Sequence, residues 1–165
     1  MALIRPARSG DGEGMARCWI DAGVYYAALD PELFQVPETE GLSTWMEEER
    51  PPPDDGARTT FVAEQAGEVV GFLDAMVIPA LQSAAKQSVT EVGERRLVIN
   101  ALIVHRQHWR HGIGTQLMEA AEQWGRRHGA TLVALDTWIE SQVSVPFYEA
   151  LGYRKRQLGF RKNLS

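Results

Sequence analysis

The sequence predicts a single α/β domain with a mixed β-sheet, its elements in the order βααβββαβαβ. The length of 165 residues and the 44% share of hydrophobic residues fit one globular core. Apolar residues recur at helical spacing in some segments and form short β-branched runs in others, as expected of an α/β protein. No repeat, linker or low-complexity segment divides the chain, so we expect one domain over residues 1–165.

The first third of the chain predicts a strand and two helices. A short strand covers Ala2–Ala7 and is ended by Pro6. From Met15 to Leu29, apolar residues recur three and four positions apart, which predicts an amphipathic helix weakened by several glycines. A second helix is predicted from Thr39 to Arg50, and the proline-rich segment Pro51–Gly56 prevents it from continuing.

The middle of the chain predicts three strands. Thr59–Gln65 and Val69–Ile78 are rich in β-branched and aromatic residues and flank a short turn, which indicates an antiparallel hairpin. Pro79–Gly93 is polar and aperiodic and is predicted to be a loop. Arg95–Val104 is a continuous apolar run, which favours a central strand covered on both faces.

The last third predicts two helices and two strands. A helix begins near Ile113 and ends at Gly129, after a basic last turn. Thr131–Thr137 is a strand, Ser144–Gly152 a short helix, and Tyr153–Leu164 a final strand.

Charge and composition limit the classes of function. The net charge of −5 argues against a general nucleic-acid partner. The longest apolar run, Leu97–Val104, is too short to span a bilayer, and the N-terminus lacks the apolar stretch of a signal peptide. We therefore expect a cytoplasmic protein without a membrane partner. The single cysteine, Cys18, lies among apolar residues at helical spacing and is interpreted as a core residue, with a reactive thiol as the alternative.

The segment HWRHGIGTQLM, residues 108–118, joins the predicted central strand to a helix. Unpaired N–H groups and the positive end of the helix dipole meet at such a helix start, so this is a candidate anion site. Gly112 and Gly114 allow a phosphate to approach the backbone, and Arg106, Arg110 and His111 add positive charge.

Two known phosphate-binding motifs do not fit this segment, and two other interpretations of it are a connecting turn and a metal site. A dinucleotide fingerprint needs glycine where the chain has Leu117, and a Walker A loop needs Gly-Lys-Ser/Thr, which is absent. A glycine turn that only connects strand to helix remains open. His105, His108 and His111 are three residues apart and could bind a metal, but that spacing gathers side chains only within a helix, so we expect no metal.

Three motifs together resemble the GNAT superfamily of N-acetyltransferases. Trp109-Arg110-His111-Gly112-Ile113-Gly114 is similar to the family's coenzyme A motif, Arg/Gln-x-x-Gly-x-Gly/Ala. The preceding INALIV looks like its central strand, LDTWIES like its fifth strand, and FYEALGY like its final-helix signature. The resemblance implies a largely antiparallel central sheet flanked by helices, and acetyl-coenzyme A as co-substrate of acetyl transfer to a primary amine. A homodimer is also expected, because small members of this fold often pair.

The resemblance also implies roles for particular residues. Pantetheine lies along the strand at Leu102–Val104 as an added strand, and the backbone amide of Leu102 supports the oxyanion of the tetrahedral intermediate. Tyr148 corresponds to the general acid that protonates the departing sulfur, with a packing role beside Phe147 as the alternative. The expected cofactor-binding residues are Leu102, Ile103, Val104, Trp109, Arg110, His111, Gly112, Ile113, Gly114, Thr115, Ser141, Phe147 and Tyr148.

Two residues depart from the family pattern. Trp109 stands where Arg or Gln is usual, which removes one side-chain donor to the pyrophosphate. Ser141 stands where Asn is usual, near the pantetheine. Some relatives use a glutamate within the central strand as the general base, but INALIV contains none. This absence and the departure at Trp109 leave room for a non-catalytic acyl-coenzyme A binding or regulatory module as the alternative function.

The general base and the acceptor remain open. Glu94, His105 and Asp136 are the ionisable residues nearest the strand ends, and Asn100 could only position a water, so we expect water-mediated deprotonation. A small-molecule or peptide amine is expected between the N-terminal helices and the loop 79–93. Candidate pocket residues are Tyr25, Tyr26, Phe34 and Trp45, and candidate attractors of a cationic amine are Glu47, Glu48, Glu49, Asp54 and Asp55.

Overall fold

The structure is a computed structural model that describes residues 1–49 and 56–164. It contains a five-stranded sheet in the order β1-β2-β3-β4-β5. The strands β1 to β4 pair antiparallel in succession, and β5 adds to β4 in parallel. The strands are β1 Leu3–Pro6, β2 Arg58–Gln65, β3 Glu68–Ile78, β4 Arg96–Val104 and β5 Leu132–Leu135.

Four helices cover the two faces of this sheet. They are α1 Gly12–Leu29, α2 Leu42–Glu49, α3 Ile113–Arg127 and α4 Ser144–Ala150. Buried residues of α1 and α2 pack on one face, around Val62 and Phe72. Buried residues of α3 pack on the other face, around Leu73 and Leu97, and α4 adds Phe147 to that layer. The mixed, largely antiparallel sheet flanked by helices is confirmed.

The hairpin between β2 and β3 turns at Ala66 and Gly67, both of which have positive φ angles. Such a two-residue turn matches the twist of the flanking strands. The hairpin predicted from the short linker between two β-rich runs is confirmed. None of the helices in the described ranges 1–49 and 56–164 is long and apolar enough to cross a membrane.

Helix α1 begins at Gly12, three residues before the first residue of its apolar pattern. Glycine lowers helix propensity, but packing requires a glycine at position 14 of this helix. A Cβ on Gly14 would lie 2.6 Å from Cβ of Val69. Cys18 lies on the buried face of this helix, 1% exposed. Burial raises the pKa of its thiol to about 12, so Cys18 is a core residue and not a reactive thiolate.

The structure corrects or refines three expectations about the elements. The segment 153–164 forms no strand in the described part of the chain, and Leu158, Phe160 and Leu164 are exposed. A strand needs a partner edge, which a local alternation of residues does not supply. The loop 79–93 contains two short 3₁₀ turns, Ala84–Lys86 and Thr90–Gly93.

The third correction concerns β4, which is not covered on both faces along its length. Leu97 and Ile99 are buried, but Asn100 is exposed and Leu102–Val104 are half-buried. The buried residues of β4, Leu97 and Ile99, lie in the part of the strand that pairs with β5. The half-buried residues Leu102–Val104 pack against the core and also line a cleft.

The N-terminus of α1 is capped by a side chain from α2. Asp11 precedes the helix, but its carboxylate is bound by Arg5 at 2.8 Å and by the backbone N–H of Arg8. Glu47 instead accepts hydrogen bonds from the N–H groups of Gly10, at 2.9 Å, and Gly12, at 2.7 Å. Glu47 therefore joins the two N-terminal helices, and its role is structural and not the attraction of a substrate.

Replacing Glu47 with Ala should lower the free energy of unfolding by about 1 to 2 kcal/mol, as for the loss of other helix caps. The two N–H groups would lose their acceptor, and α1 and α2 would lose their link. Urea unfolding followed by circular dichroism measures the effect. The neighbouring Glu48→Ala is the control, because Glu48 is exposed, and it should stay within about 0.5 kcal/mol of wild type. Equal stability of the two variants would contradict the capping role.

Candidate active site

The site begins where β4 and β5 separate. The two strands pair from Arg96 with Leu132 to Ile99 with Leu135, and β5 ends there. On its other edge β4 continues to pair with β3 as far as Val104. From Asn100 onward, the edge of β4 that faced β5 has no strand partner among residues 1–49 and 56–164. A cleft opens along this edge.

The backbone groups that face the cleft follow from strand geometry. The N–H of His105 donates to Val70 O on β3 at 2.9 Å. Because successive residues of a strand direct their backbone groups to opposite edges, Leu102 and Val104 direct theirs into the cleft. The cleft therefore presents free strand-edge groups at the residues for which pairing with pantetheine was predicted.

The cleft has a volume of about 550 Å³. Its walls come from the C-terminal half of β4, the turn into α3, helix α4, and Ala22, Tyr25 and Tyr26 of α1. All the predicted cofactor-binding residues except His111 and Ser141 line it. Those that do are Leu102, Ile103, Val104, Trp109, Arg110, Gly112, Ile113, Gly114, Thr115, Phe147 and Tyr148.

The turn into α3 exposes the first N–H groups of the helix. Gly112 adopts a left-handed conformation, with φ of 76°, and its carbonyl accepts the first intrahelical hydrogen bond, from Gln116. The N–H groups of Ile113, Gly114 and Thr115 consequently have no acceptor within the helix. Together with the helix dipole, they form a cradle for an anion at one end of the cleft.

The charges around this turn are distributed differently from the sequence expectation. Arg106 is bound by Asp21, whose carboxylate accepts from its Nε and from its backbone N–H, both at 2.8 Å. Its charge is therefore neutralised and does not serve the anion site. Arg110 is exposed, lines the cleft and forms no ion pair within the described residues. His111 is exposed outside the cleft.

Trp109 does not replace the usual donor to a pyrophosphate. Its indole Nε1–H donates to Val104 O at 2.6 Å, and its ring contacts Tyr25 edge-on at 5.4 Å. The tryptophan thus occupies one of the strand-edge acceptors that face the cleft. An added strand can pair with the N–H of Val104 and with the groups of Leu102, but not with this carbonyl.

Ser141 lies beneath the wall of the cleft and does not line it. It is 1% exposed, and its Oγ accepts from the N–H of Ser144 at 3.0 Å and contacts Tyr25 Oη at 3.3 Å. Tyr26 Oη lies 3.1 Å from Ser144 Oγ. These hydroxyl groups join α1 to the start of α4. The expected contact of Ser141 with pantetheine is not what this geometry provides.

The three histidines do not converge. His105 accepts from the N–H of Gln107 and lies 4.0 Å from Asp21, whereas His108 contacts Gln65 at 3.1 Å. His111 points elsewhere, on the surface. In the part of the chain that the structure describes, no group of three His, Cys, Asp or Glu side chains could hold a metal ion.

Tyr148 lies in the wall of the cleft, packed edge-on against Phe147 at 5.1 Å. Burial raises the pKa of its hydroxyl well above the ordinary value, and the proximity of Tyr26 raises it further. The phenol is therefore protonated at neutral pH. Both the position and the protonation state suit a proton donor to a group bound in the cleft.

The candidate bases take different positions. Glu94 accepts from the hydroxyl of Thr131 at the opposite end of β4, away from the cleft. Asp136 is exposed and follows Leu135, where β5 leaves β4. Asn100 is the first residue of β4 beyond the paired segment, and its Nδ2 donates to Asp74 Oδ2 at 3.2 Å. Asp74 was missed by sequence reasoning, because a carboxylate inside a strand pattern gives no local sign of its partners.

The expected acceptor-pocket residues divide into two groups. Tyr25, Tyr26 and Phe34 form a continuous aromatic cluster that reaches Trp138. Trp45 instead packs on Trp19, outside the cleft. Trp138 was not predicted as a site residue, although an aromatic residue just after a strand end was a signal. Asp54 and Asp55 lie outside the described residues.

Comparison with known proteins decides the family. The model of the Acetyltransferase (GNAT) family matches residues 24–153, which include the strand edge, the anion cradle and Tyr148. The chain belongs to the GNAT acetyltransferase family. A curated relative is N-acetyltransferase 8 of Rattus norvegicus, 32% identical over 95 residues, which are 58% of this chain and 39% of that protein. The chain thus spans about two-fifths of the length of this relative.

Solved structures of low sequence identity share the GNAT fold. A Bacillus halodurans protein described as a transcriptional regulator has a TM-score of 0.72 at 23% identity and covers 99% of this chain and 100% of its own. An aminoglycoside N-acetyltransferase in complex with CoA has a TM-score of 0.61 at 21% identity and covers 98% of this chain and 100% of its own. These likenesses agree with the architecture of the GNAT domain described above.

Proposed function

We propose that this GNAT domain is an acetyl-coenzyme A dependent N-acetyltransferase that acts on a primary amine by direct attack through a tetrahedral intermediate. The observation that supports this most is the cleft itself. One continuous space joins an unpaired strand edge, an anion cradle at a helix start and a protonated tyrosine. Acetyl transfer from coenzyme A requires all three, whereas a plain connecting turn requires none.

Different residues of the cleft bind the different parts of acetyl-coenzyme A. The N–H groups of residues 113–115 bind the pyrophosphate of acetyl-coenzyme A, with Arg110 as the nearest free cation in the described turn. Groups at Leu102 and Val104 pair with the pantetheine amides. The N–H of Leu102 donates to the thioester oxygen as negative charge develops there, and such a donor typically stabilises the transition state by ~3 kcal/mol.

The proton balance of the reaction involves Tyr148. The acceptor, with a pKa of about 10 for an alkyl ammonium, first loses a proton to water. Attack forms the C–N bond and breaks the C–S bond. Tyr148 donates its proton to the departing sulfur, and the proton released by the new amide nitrogen returns through water to the tyrosine. Asp136 is an exposed carboxylate directly after Leu135, where β5 leaves β4, and can receive that water's proton.

An amine panel tests the proposal. Spermidine, an aminoglycoside, free amino acids, a peptide with a free N-terminus and a lysine-rich peptide are each incubated with acetyl-coenzyme A, and thiol release is followed. We expect release with at least one of them that is well above the amine-free rate. Absence of release with every amine, together with no coenzyme A binding in calorimetry, would refute the proposal.

The same assay separates a second candidate function. A regulatory module that binds acyl-coenzyme A without catalysis has support from the Bacillus halodurans structure, which shares the fold and is described as a transcriptional regulator. Tight coenzyme A binding with no thiol release would favour this candidate. A cytoplasmic location, a homodimer and the absence of a metal requirement stay predictions.

A further inference from the structure

Asn100 lies at an irregularity in β4, two residues before Leu102, where the part of the strand that lines the cleft begins. The register of β3 and β4 shifts between Asp74, opposite Ala101, and Ala75, opposite Ile99. Asn100 is therefore the extra residue of a β-bulge, a device that redirects side chains next to functional sites. It is exposed, and pairing with β5 stops one residue before it.

The bulge turns Asn100 toward the face that carries α1 and α2. Asp74 lies on that face because it pairs with Thr60 and is two residues from Phe72, which packs with α1 and α2. The side chain of Asp74 is 17% exposed. Its Oδ2 accepts from Asn100 Nδ2 at 3.2 Å and from Arg58 Nη2 at 3.1 Å, and its Oδ1 lies 3.4 Å from Thr60 Oγ1.

These contacts fix which way the amide of Asn100 points. A carboxylate is only an acceptor, so the NH₂ group of Asn100 must face Asp74. The carbonyl Oδ1 of Asn100 is then directed away from Asp74. The contact thus gives an exposed side chain a hydrogen-bond acceptor of fixed orientation, two residues before the part of β4 that lines the cleft.

We propose that Asp74 is a positioning residue that holds the Asn100 carbonyl oxygen in place to accept a hydrogen bond from the nitrogen of the acceptor amine. This role rests on the proposed N-acetyltransferase function. The amine must be oriented with its lone pair toward the thioester carbon, and an acceptor for one of its N–H bonds provides that orientation. Asn100 cannot take a proton, so it orients the nucleophile and water completes the deprotonation.

A first test observes the amide directly and needs no substrate. The chain has only two asparagines, Asn100 and Asn163, so labelling with ¹⁵N-asparagine gives two side-chain NH₂ signals in NMR. We expect one pair in wild type to be shifted downfield and slow to exchange with water, and Asn100→Ala to remove it. Asp74→Ala should return this pair to ordinary values, while the Asn163 pair stays unchanged. Ordinary values for both pairs in wild type would overturn the proposal.

A second test uses the amine of the panel that wild type acetylates fastest. Asp74→Ala removes the carboxylate that accepts from the Asn100 NH₂, so the amide of Asn100 is no longer held in one orientation. We expect kcat/KM for the amine to fall about 10-fold or more, as for the loss of one hydrogen bond to a polar group. KM for acetyl-coenzyme A should remain within about twofold, since the cofactor contacts are untouched.

Matched variants make the kinetic result specific. Asn100→Ala should lower kcat/KM for the amine as Asp74→Ala does, and the double variant should be no worse, because the two residues act as one unit. Thr60→Val removes another contact of Asp74 without touching Asn100 and should match wild type. Additive losses, or an equal loss in Thr60→Val, would overturn the positioning role. A wild type that acetylates no amine would refute the proposed function, while the NMR result would still decide the orientation of Asn100.

Discussion

Replacing Tyr148 with Phe should lower kcat by about 10²-fold, the contribution expected of positioned general acid catalysis. The hydroxyl acts on the sulfur only as negative charge develops there, so its interaction belongs to the transition state. Affinity for acetyl-coenzyme A should change little, and the ring that packs on Phe147 is retained. Steady-state kinetics with the amine found in the panel measures the effect.

Tyr153→Phe is the matched control. Tyr153 packs against Tyr148 at 5.8 Å, but its hydroxyl donates to Glu122 at 2.8 Å and lies outside the cleft. Losing that bond should cost about 1 kcal/mol of stability and leave kcat near wild type. If Tyr148→Phe changes the melting temperature but keeps kcat within about twofold, where acid catalysis supplies ~10²-fold, Tyr148 is a packing residue only.

The raised pKa of Tyr148 also constrains the pH dependence of kcat. The group must be protonated to act, and its pKa lies above the ordinary tyrosine value of about 10. Wild-type kcat should therefore show no loss from tyrosine ionisation as pH rises toward that value, while the rising neutral fraction of the amine favours the reaction.

Replacing Gly112 with Asp should weaken coenzyme A binding strongly. The substitution places a carboxylate beside the N–H groups that receive the pyrophosphate. Two like charges about 4 Å apart repel by roughly 1 to 4 kcal/mol, depending on solvent exposure, which corresponds to a ~5-fold to ~10³-fold rise in Kd. Isothermal titration calorimetry with coenzyme A measures the change.

Gly112→Asn is the control that separates the effect of the added charge from the effect of the added side chain. A Cβ at Gly112 would meet only Gln116, at 3.9 Å, and asparagine tolerates the left-handed backbone better than most residues. This variant should bind coenzyme A much more tightly than Gly112→Asp. Gly114→Asp should also weaken binding severely, but a Cβ there would lie 3.1 Å from the Phe147 ring, so its effect combines charge with a narrower cleft. Equal affinity of wild type and Gly112→Asp would remove the anion site from the proposal.

The sequence predicted the elements that depend on local rules. The hairpin between β2 and β3, the start of α3 at Ile113 and the amphipathic pattern of α1 each follow from a few adjacent residues. The motif of residues 109–114 likewise located most of the cleft, because a strand, a glycine turn and a helix start in succession leave little freedom. The strand predicted for segment 153–164 was wrong, because the alternation of its residues indicated a strand but did not specify a neighbouring strand with which it could pair.

What the amino-acid sequence by itself determined is therefore the order of elements from β1 to α4, the glycine turn that begins α3 and the presence of a tyrosine in α4. Only the tertiary structure decided which charges and side chains are available to the site. Asp21 neutralises Arg106 from 85 residues away, Asp74 orients Asn100, and Val104 accepts the indole of Trp109. Hydrogen bonds and ion pairs act over a few ångströms, so their partners depend on which segments the fold brings together. The local sequence pattern does not show which distant segments the fold brings together.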